Sequence, residues 1–458
     1  MARICGLFGA ADAEPDRAAW TVGQMLDTLP GPSAASVACG ATALGSTEGG
    51  DSLAESAGYL VAIDGYVYAD AIAGTPAQAE GLAARLLAAF RQLGFERALE
   101  TLDGAFAIAF FDPTAERLWI ARDRFGIKPM YYAATAQGLA FASQPSGLMS
   151  LVRLDFNRQF VGLFAGSHYR TIDNAPERSP FAAMAQLPAG HVGSVTRGAA
   201  VSMRRYWKLQ PAELPQRNEA EFAETYRGLI FQAVRRRLSI TSKSAFTLSG
   251  GLDSSTVLGT AARIVDGACD AFSSVYSDAT YDERNEIADV VDAGIARWTP
   301  VEFDNEIDLF ARIDHLVRIH NEPVATATWL AHEQISRVVA MAGYRSLFGG
   351  LGGDEMNAGE YEYFPFAFAD LIKAGEAARL DRELDMWAHH HDHPIYRKDR
   401  AIGRRMITTL VDLECDGVCR PDHVPTMEGD NNDNPSYSAI GRLFAIGYIK
   451  GLQLAVYG

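Results

Sequence analysis

The chain has 458 residues, 48% of them hydrophobic and 21% charged, which excludes a disordered or fibrous polymer and leaves room for two or three hydrophobic cores. Its 41 basic and 57 acidic side chains leave a formal net charge of −16, which disfavours broad electrostatic binding to nucleic acid or to an anionic membrane surface. No stretch approaches the roughly 20 apolar residues of a membrane span, and the start, MARICGLFGA, carries one cation and a short apolar run. The 5 scattered cysteines (Cys5, Cys39, Cys269, Cys415, Cys419) do not form a disulfide framework, so a cytoplasmic protein with reduced thiols is expected.

Up to about residue 207, short apolar runs alternate with turn signals: RICGLFGA, GYLVAIDGYVYAD, GAFAIAFFD, RLWIARD, MYYAA and LAFAS. They predict a largely antiparallel sheet protein of α+β class. One helix is predicted to interrupt it from Gln78 to Leu93, where Leu82, Leu86, Leu87 and Phe90 recur at helical spacing. The proline-bearing stretch KLQPAELPQR, residues 208–217, reads as a linker. Over residues 218–458, helical stretches such as Glu219 to Leu238 alternate with SAFTLSG, DAFSSVYS, WTPVEFD and YRSLFGG, which predicts a parallel α/β sheet.

Chemistry concentrates where SAFTLSG turns into the next helix. Ser249, Gly250, Gly251, Leu252, Asp253, Ser254 and Ser255 lie between a predicted strand and a helix expected to begin near Ser254. Glycines let backbone approach an anion, hydroxyls donate to it, and a helix N-terminus supplies unpaired N–H groups and dipole. Asp253 would repel a bare phosphate, so an intervening cation is implied, most simply Mg²⁺ with oxygen ligands. A glycine-rich turn with an N-cap serine is the plainer alternative.

SGGLDSS resembles the ATP-pyrophosphatase loop and lacks the Walker pattern. Further on, Tyr281-Asp282-Glu283, Asn321-Glu322-Pro323 and Phe348-Gly349-Gly350-Leu351-Gly352-Gly353-Asp354-Glu355 resemble, in order, three elements of asparagine synthetases. LDGAFAIAFFD, ARDRFGIKPMYYA, FASQ, LPAGH and RRYWKL are similar to the same family, and the resemblance covers about residues 4–364. It implies a class II glutamine amidotransferase-like domain of the N-terminal nucleophile sandwich type over 1–207 and an ATP-pyrophosphatase synthetase domain over 218–458. It also implies that Asp253 and Asp354 hold Mg²⁺ against ATP and act in catalysis with Glu355. The nucleotide would be bound by Leu248, Ser249, Gly250, Gly251, Asp253, Ser254, Ser255, Val275, Gly350 and Gly352. A carboxylate would attack the α-phosphorus, giving an acyl-AMP that an amine or ammonia converts to an amide. Glu283 and Glu355 either orient metal-bound water or serve as satisfied partners in the sheet.

The chain also departs from the family. Glutamine-dependent members use an N-terminal cysteine whose own amine is the base; here Met1, Ala2, Arg3 and Ile4 precede Cys5. The family's Asn-Gly oxyanion element corresponds to Asp64-Gly65, where a carboxylate would repel a developing oxyanion. A silent glutaminase domain is therefore expected, resembling that of β-lactam synthetases and lasso-peptide cyclases. Such enzymes act on a small-molecule or peptide carboxylate together with an amine, in natural-product biosynthesis. Leu351 stands where ammonia-using members carry an acid and β-lactam synthetases a tyrosine, and it cannot move a proton. Glu355, Tyr361 and Tyr363 are neighbours that could. The family's C-terminal segment is not recognised before Gly458, and Lys450 reads as a snorkelling lysine.

Two other readings stay open: a glutamine-hydrolysing asparagine synthetase with Cys5 exposed by processing, and a catalytically silent nucleotide-binding or scaffold protein. A homodimer is in keeping with sheet-rich two-domain enzymes. Neither Cys415 and Cys419 with His423 nor the run His389 to His393 has usual zinc spacing. Arg235-Arg236-Arg237 reads as a solvated face, and Arg122-Asp123-Arg124 as a turn and domain-interface network.

Overall fold

The computed structural model describes residues 2–10, 14–68, 70, 72, 81–167, 176–208, 218–241, 243–278, 282–303, 308–323, 328–357, 363–390 and 401. They form two compact units: the residues up to Pro211 together with Val317–Pro323, and the remainder.

The first unit contains β1 (Ile4–Gly9), α1 (Pro15–Leu26), β2 (Ala35–Cys39), β3 (Thr42–Ser46), β4 (Leu53–Ser56), β5 (Tyr59–Val67), α2 (Leu82–Leu93) and α3 (Phe95–Thr101). These are followed by β6 (Gly104–Asp112), β7 (Arg117–Arg122), β8 (Tyr131–Thr135), β9 (Gly138–Ala142), α4 (Arg158–Ser167), β10 (Ala185–Gln186), β11 (His191–Thr196) and β12 (Ser202–Arg205). Two sheets result, ordered β10-β8-β9-β1-β3-β2 and β12-β11-β7-β6-β5-β4, and their strand pairs are antiparallel. Ile4, Phe8 and Leu44 of the first sheet meet Ala62, Ala109, Phe111 and Ile120 of the second in one core. The outer faces are covered as well, Cys5, Leu7 and Ala140 by α1 and Val61, Ile63 and Phe110 by α2 and α3. Strands buried on both faces read as continuous apolar runs, which is why GAFAIAFFD does not alternate.

This is the expected α+β sandwich, with more helix than the sequence reading gave it. Alongside α2, which starts at Leu82, later than the predicted Gln78, because Gly81 before it is non-helical at φ +87°, stand α1, α3 and α4. α1 begins on Pro15, whose fixed φ suits a first turn, and buries Ala18, Val22, Met25 and Leu26. The turn after β7 is held by two fully buried ions. Arg122 donates to the carbonyls of Lys128 (2.6 Å), Gly126 (2.7 Å) and Leu187 (2.9 Å). Asp123 accepts from the backbone N–H groups of Phe106, Phe125, Ile127 and Lys128. Both are turn architecture, as the sequence suggested.

The second unit contains α5 (Glu219–Leu238), β13 (Ser244–Thr247), α6 (Leu252–Val265), β14 (Cys269–Val275), α7 (Arg284–Asp292), β15 (Ala296–Glu302) and α8 (Leu309–His320), whose last turn belongs with the first unit. α9 (Thr328–Met341), β16 (Ser346–Phe348), α10 (Gly353–Asn357), α11 (Tyr363–Lys373) and α12 (Ala377–His390) follow. α5 is capped by a reciprocal box between Asn218 and Glu221. The sheet is parallel and ordered β15-β14-β13-β16. Val234, Leu258 and Ile287 pack on one face of it; Ile335 and Val339 pack on the other with Ala245, Phe272 and Val301. The chain steps outward from β13 to β14 and β15, then returns to β16 on the other side of β13. Such a reversal leaves a crevice beyond the carboxyl ends of β13 and β16, the usual ligand position in open α/β sheets.

Candidate active site

Both glycine-rich segments leave the sheet at that crevice. After β13 the chain runs through Ser249 and Gly250, at φ +69°, to Gly251, the N-cap of α6. The helix starts at Leu252, two residues earlier than the sequence reading placed it, so Asp253 sits inside its first turn. Ser254 is 5% exposed and turned into the loop: its hydroxyl accepts from the Ser249 N–H (3.1 Å), donates to the Gly251 carbonyl (3.3 Å) and bonds the Ser249 hydroxyl (2.9 Å). Ser254 therefore closes the cradle instead of pointing out of it. The Ser255 hydroxyl is buried with no hydrogen-bond partner among the described residues, so its donor is unspent. Val275 is buried at the end of β14.

The second loop follows β16 and lies directly on the first. A Cβ on Gly350 would fall 2.4 Å from the Ser254 nitrogen, and one on Gly353 would fall 2.1 Å from the Asp253 carboxyl carbon. Only glycine permits this approach, and it puts the Asp253 carboxylate beside the turn that carries Asp354. Burial, and then the charge of Asp354, raise the Asp253 carboxyl above its ordinary value. Two like charges at a loop mouth suit a hard divalent cation, since Mg²⁺ takes one or two carboxylates and completes its shell with phosphate and water. Among the described residues no group of three or more His, Cys, Asp or Glu could hold a metal. Gly352, at φ +95°, lets the loop turn into α10. Leu351 is 47% exposed at its tip. The side chains of Glu355 and Tyr363, and all of Tyr281 and Tyr361, lie outside the described residues.

A Cβ on Gly250 would fall 2.4 Å from that of Glu286 on α7, so the first loop also rests on the acidic Asp282–Glu286 turn. Burial, and then Glu286 and Asp282, raise the Glu283 carboxyl. Glu283 is thus crowded by like charge at the N-terminus of α7. Asn321 and Glu322 group with the first unit: Asn321 accepts from the Ser146 N–H at 3.0 Å, and Glu322 accepts from the buried Tyr131 hydroxyl.

Cys5 is fully buried inside β1, paired with Gly45 and Ala142 and packed against Val22 and Met25 of α1. Burial pushes its thiol far up, the opposite of what a nucleophilic thiol needs. Ala2 and Arg3 are buried ahead of it, and the Arg3 N–H donates to the Thr47 hydroxyl at 2.9 Å. Asp64 is not the bare carboxylate that the sequence suggested. It is fully buried between Lys128 at 3.1 Å and Arg3 at 3.4 Å. Burial pushes the carboxyl up, but the Lys128 and Arg3 charges outweigh it and hold Asp64 below its ordinary value. Gly65, at φ +116°, brings its backbone so close to Ala105 that a Cβ would fall 2.0 Å from that carbonyl. The sequence reading missed this triad because Arg3 and Lys128 reach Asp64 only through the fold.

Other expectations fall partly outside the described residues. These include residues 209–217 of the linker, Cys415, Cys419, His423, His391 to His393, Lys450 and the side chain of His390. Arg235 and Arg237 are exposed in the last turn of α5. Among the described residues no helix is long and apolar enough to cross a membrane.

Comparison with known proteins gives two domain matches, a glutamine amidotransferase domain over residues 73–207 and asparagine synthase over residues 225–416. A protein of Acanthamoeba polyphaga mimivirus described as a probable glutamine-hydrolysing asparagine synthetase is 27% identical over 305 residues, covering 65% of this chain and 53% of its own. The Homo sapiens glutamine-hydrolysing asparagine synthetase is 30% identical over 169 residues, covering 36% and 29%. The chain spans about half the length of the mimivirus relative and of a similar protein from Methanocaldococcus jannaschii. Among solved structures, the Bacillus subtilis glutamine phosphoribosylpyrophosphate amidotransferase covers 76% of this chain and 90% of its own at a TM-score of 0.32 and 10% identity. Carrying an amidotransferase domain followed by an asparagine synthase domain, the chain belongs to the asparagine synthetase superfamily.

Proposed function

We propose that this protein is an ATP-dependent amide-forming ligase that adenylates a carboxylate, releases pyrophosphate and transfers the acyl group to an amine that this chain does not take from glutamine. The observation that carries the reading is the close approach of Gly350 and Gly353 to the first loop, which sets the Asp253 carboxylate beside the turn carrying Asp354 and within reach of its charge. In this reading residues 1–207 form a silent amidotransferase-like domain, 208–217 the linker and 218–458 the synthetase domain.

The chain's own residues divide the work. Asp253 and Asp354 hold Mg²⁺, which when bound neutralises phosphate charge. The loop from Leu248 to Ser255, with Gly350, Gly352 and Val275, fixes ATP so that the carboxylate meets the α-phosphorus in line. Such phosphorus chemistry asks the protein for positioning and charge stabilisation and for no covalent nucleophile. Glu355 completes the catalytic set as an orienting carboxylate. The exposed Leu351 gives the second loop no proton-moving group at its tip, so the base that frees the amine comes from elsewhere; the substrate in this reading is a small molecule or a peptide of natural-product biosynthesis that carries its own amine. The burial of Cys5 and the pairing of Asp64 support a domain kept for structure. A cytoplasmic homodimer is the setting we propose.

The test is AMP release from α-labelled ATP with Mg²⁺ and a panel of carboxylates bearing amines. Asp253→Ala and Asp354→Ala are each expected to abolish it, a loss of several kcal/mol on the scale of metal-based charge stabilisation. Cys5→Ala is expected to leave it intact. Turnover that survives Asp253→Ala would sink the assignment.

A further inference from the structure

Resting on the ATP reading above, the geometry points to Ser273 and Trp298 as positioning residues that fix the phosphate loop from beneath, in the strands behind it. Ser273 lies on β14 and is 3% exposed. Its hydroxyl donates to the carbonyl of Leu248, the residue that links β13 to the loop, and accepts from the indole Nε1–H of Trp298 on β15 at 2.9 Å. The same strand holds Leu248 from its other side, because the Leu248 N–H donates to the Phe272 carbonyl at 3.1 Å.

The carbonyl of Leu248 and the N–H of Ser249 belong to one planar peptide unit. Ser273 grips its oxygen and Ser254 grips its nitrogen at 3.1 Å, so one peptide plane is clamped by β14 on one edge and by the first turn of α6 on the other. The next residues are Ser249, whose hydroxyl bonds Ser254, and Gly250, whose left-handed φ of +69° is what turns the chain toward α6. With the Leu248–Ser249 plane fixed, the exit direction of the loop and the aim of its following N–H groups are fixed too. Without the Ser273 hydroxyl a buried carbonyl loses its partner and the plane can tilt. That penalty falls on phosphate recognition and not on adenosine recognition.

The experiment measures binding of Mg-ATP and of adenosine to the full chain by calorimetry. Ser273→Thr and Ser273→Val add the same branch and differ in the hydroxyl. Ser273→Thr is expected to keep the wild-type ratio of the two dissociation constants, whereas Ser273→Val lowers the preference for Mg-ATP about tenfold, as loss of a buried hydrogen bond predicts. Trp298→Phe, which leaves the hydroxyl without its indole donor, is expected to lower it about threefold, and it carries the test if the valine variant does not fold. Wild-type binding of Mg-ATP with an unchanged ratio in Ser273→Val, or in Trp298→Phe where the valine variant is unfolded, overturns the positioning role alone. Absence of Mg-ATP binding by the wild type overturns the ATP reading and this inference with it.

Discussion

Asp253 and Asp64 show how a carboxylate's surroundings decide what it can do. At Asp253, burial and Asp354 raise the folded-state pKa above the ordinary aspartate value. A raised carboxyl contributes stability below its unfolded pKa and loses it as pH rises through the folded pKa, after which two charges face each other. In the function proposed above, Mg²⁺ would relieve that repulsion. The thermal shift produced by Mg²⁺ is therefore expected to be small near pH 4 and to grow toward about pH 7 as Asp253 ionises; scanning calorimetry at the two pH values checks it, and an equal shift at both contradicts it. Asp64 has the opposite sign. Its depressed pKa contributes stability that is present above the ordinary aspartate value and is lost as pH falls through the folded value. Asp64→Asn is expected to destabilise the fold by about 3–5 kcal/mol, because the buried Lys128 and Arg3 each lose the carboxylate that they pair with. Denaturant unfolding measures this, and an Asp64→Asn variant as stable as the wild type would contradict it. Cys5, sealed under α1, is expected to stay unlabelled when the protein is exposed to an electrophilic glutamine analogue and weighed intact.

At the scale of elements, the loops after β13 and β16 work as one unit because glycine lets them touch. Gly353→Ala would drive a methyl to 2.1 Å from the Asp253 carboxyl carbon. The carboxylate or the loop must then move, and misplacement of about 1 Å in such a site costs roughly a hundredfold in rate. AMP release should fall by that order, and more than the melting temperature does, since the clash is with the Asp253 side chain. How far such elements were legible depended on where their signal lay. α5 matched its expected span of Glu219–Leu238, helped by a capping box that is local in sequence. β13 to β16 were legible as β-rich pieces between helices. α1 was missed although Ala18, Val22, Met25 and Leu26 carry a helical period, because glycine and turn signals on either side favoured a sheet reading. The start of α6 was placed too late because a serine is a better N-cap than glycine, whereas here Ser254 closes the loop from inside the first turn.

Over the whole molecule, the presence of a sandwich followed by a parallel-sheet unit was readable from the change in texture after about residue 207. The clustering of Asp253 with Asp354 was readable only through the resemblance, since the two lie on different loops. The Arg3, Asp64 and Lys128 triad and the Ser273 clamp were not readable at all. Side chains from separate strands meet in them, and no local spacing records that. In the function proposed above, the second unit binds and polarises a nucleotide, while the first keeps the sandwich and carries a buried ion cluster at Asp64. The central claim is adenylation without glutamine, and the fate of the α-phosphate of ATP tests it most directly. Incubated with α-labelled ATP, Mg²⁺ and carboxylates bearing amines, the wild type and Cys5→Ala are expected to release labelled AMP to the same extent, and Asp253→Ala none. Release of ADP instead, or AMP that appears only with glutamine and vanishes in Cys5→Ala, would contradict the account.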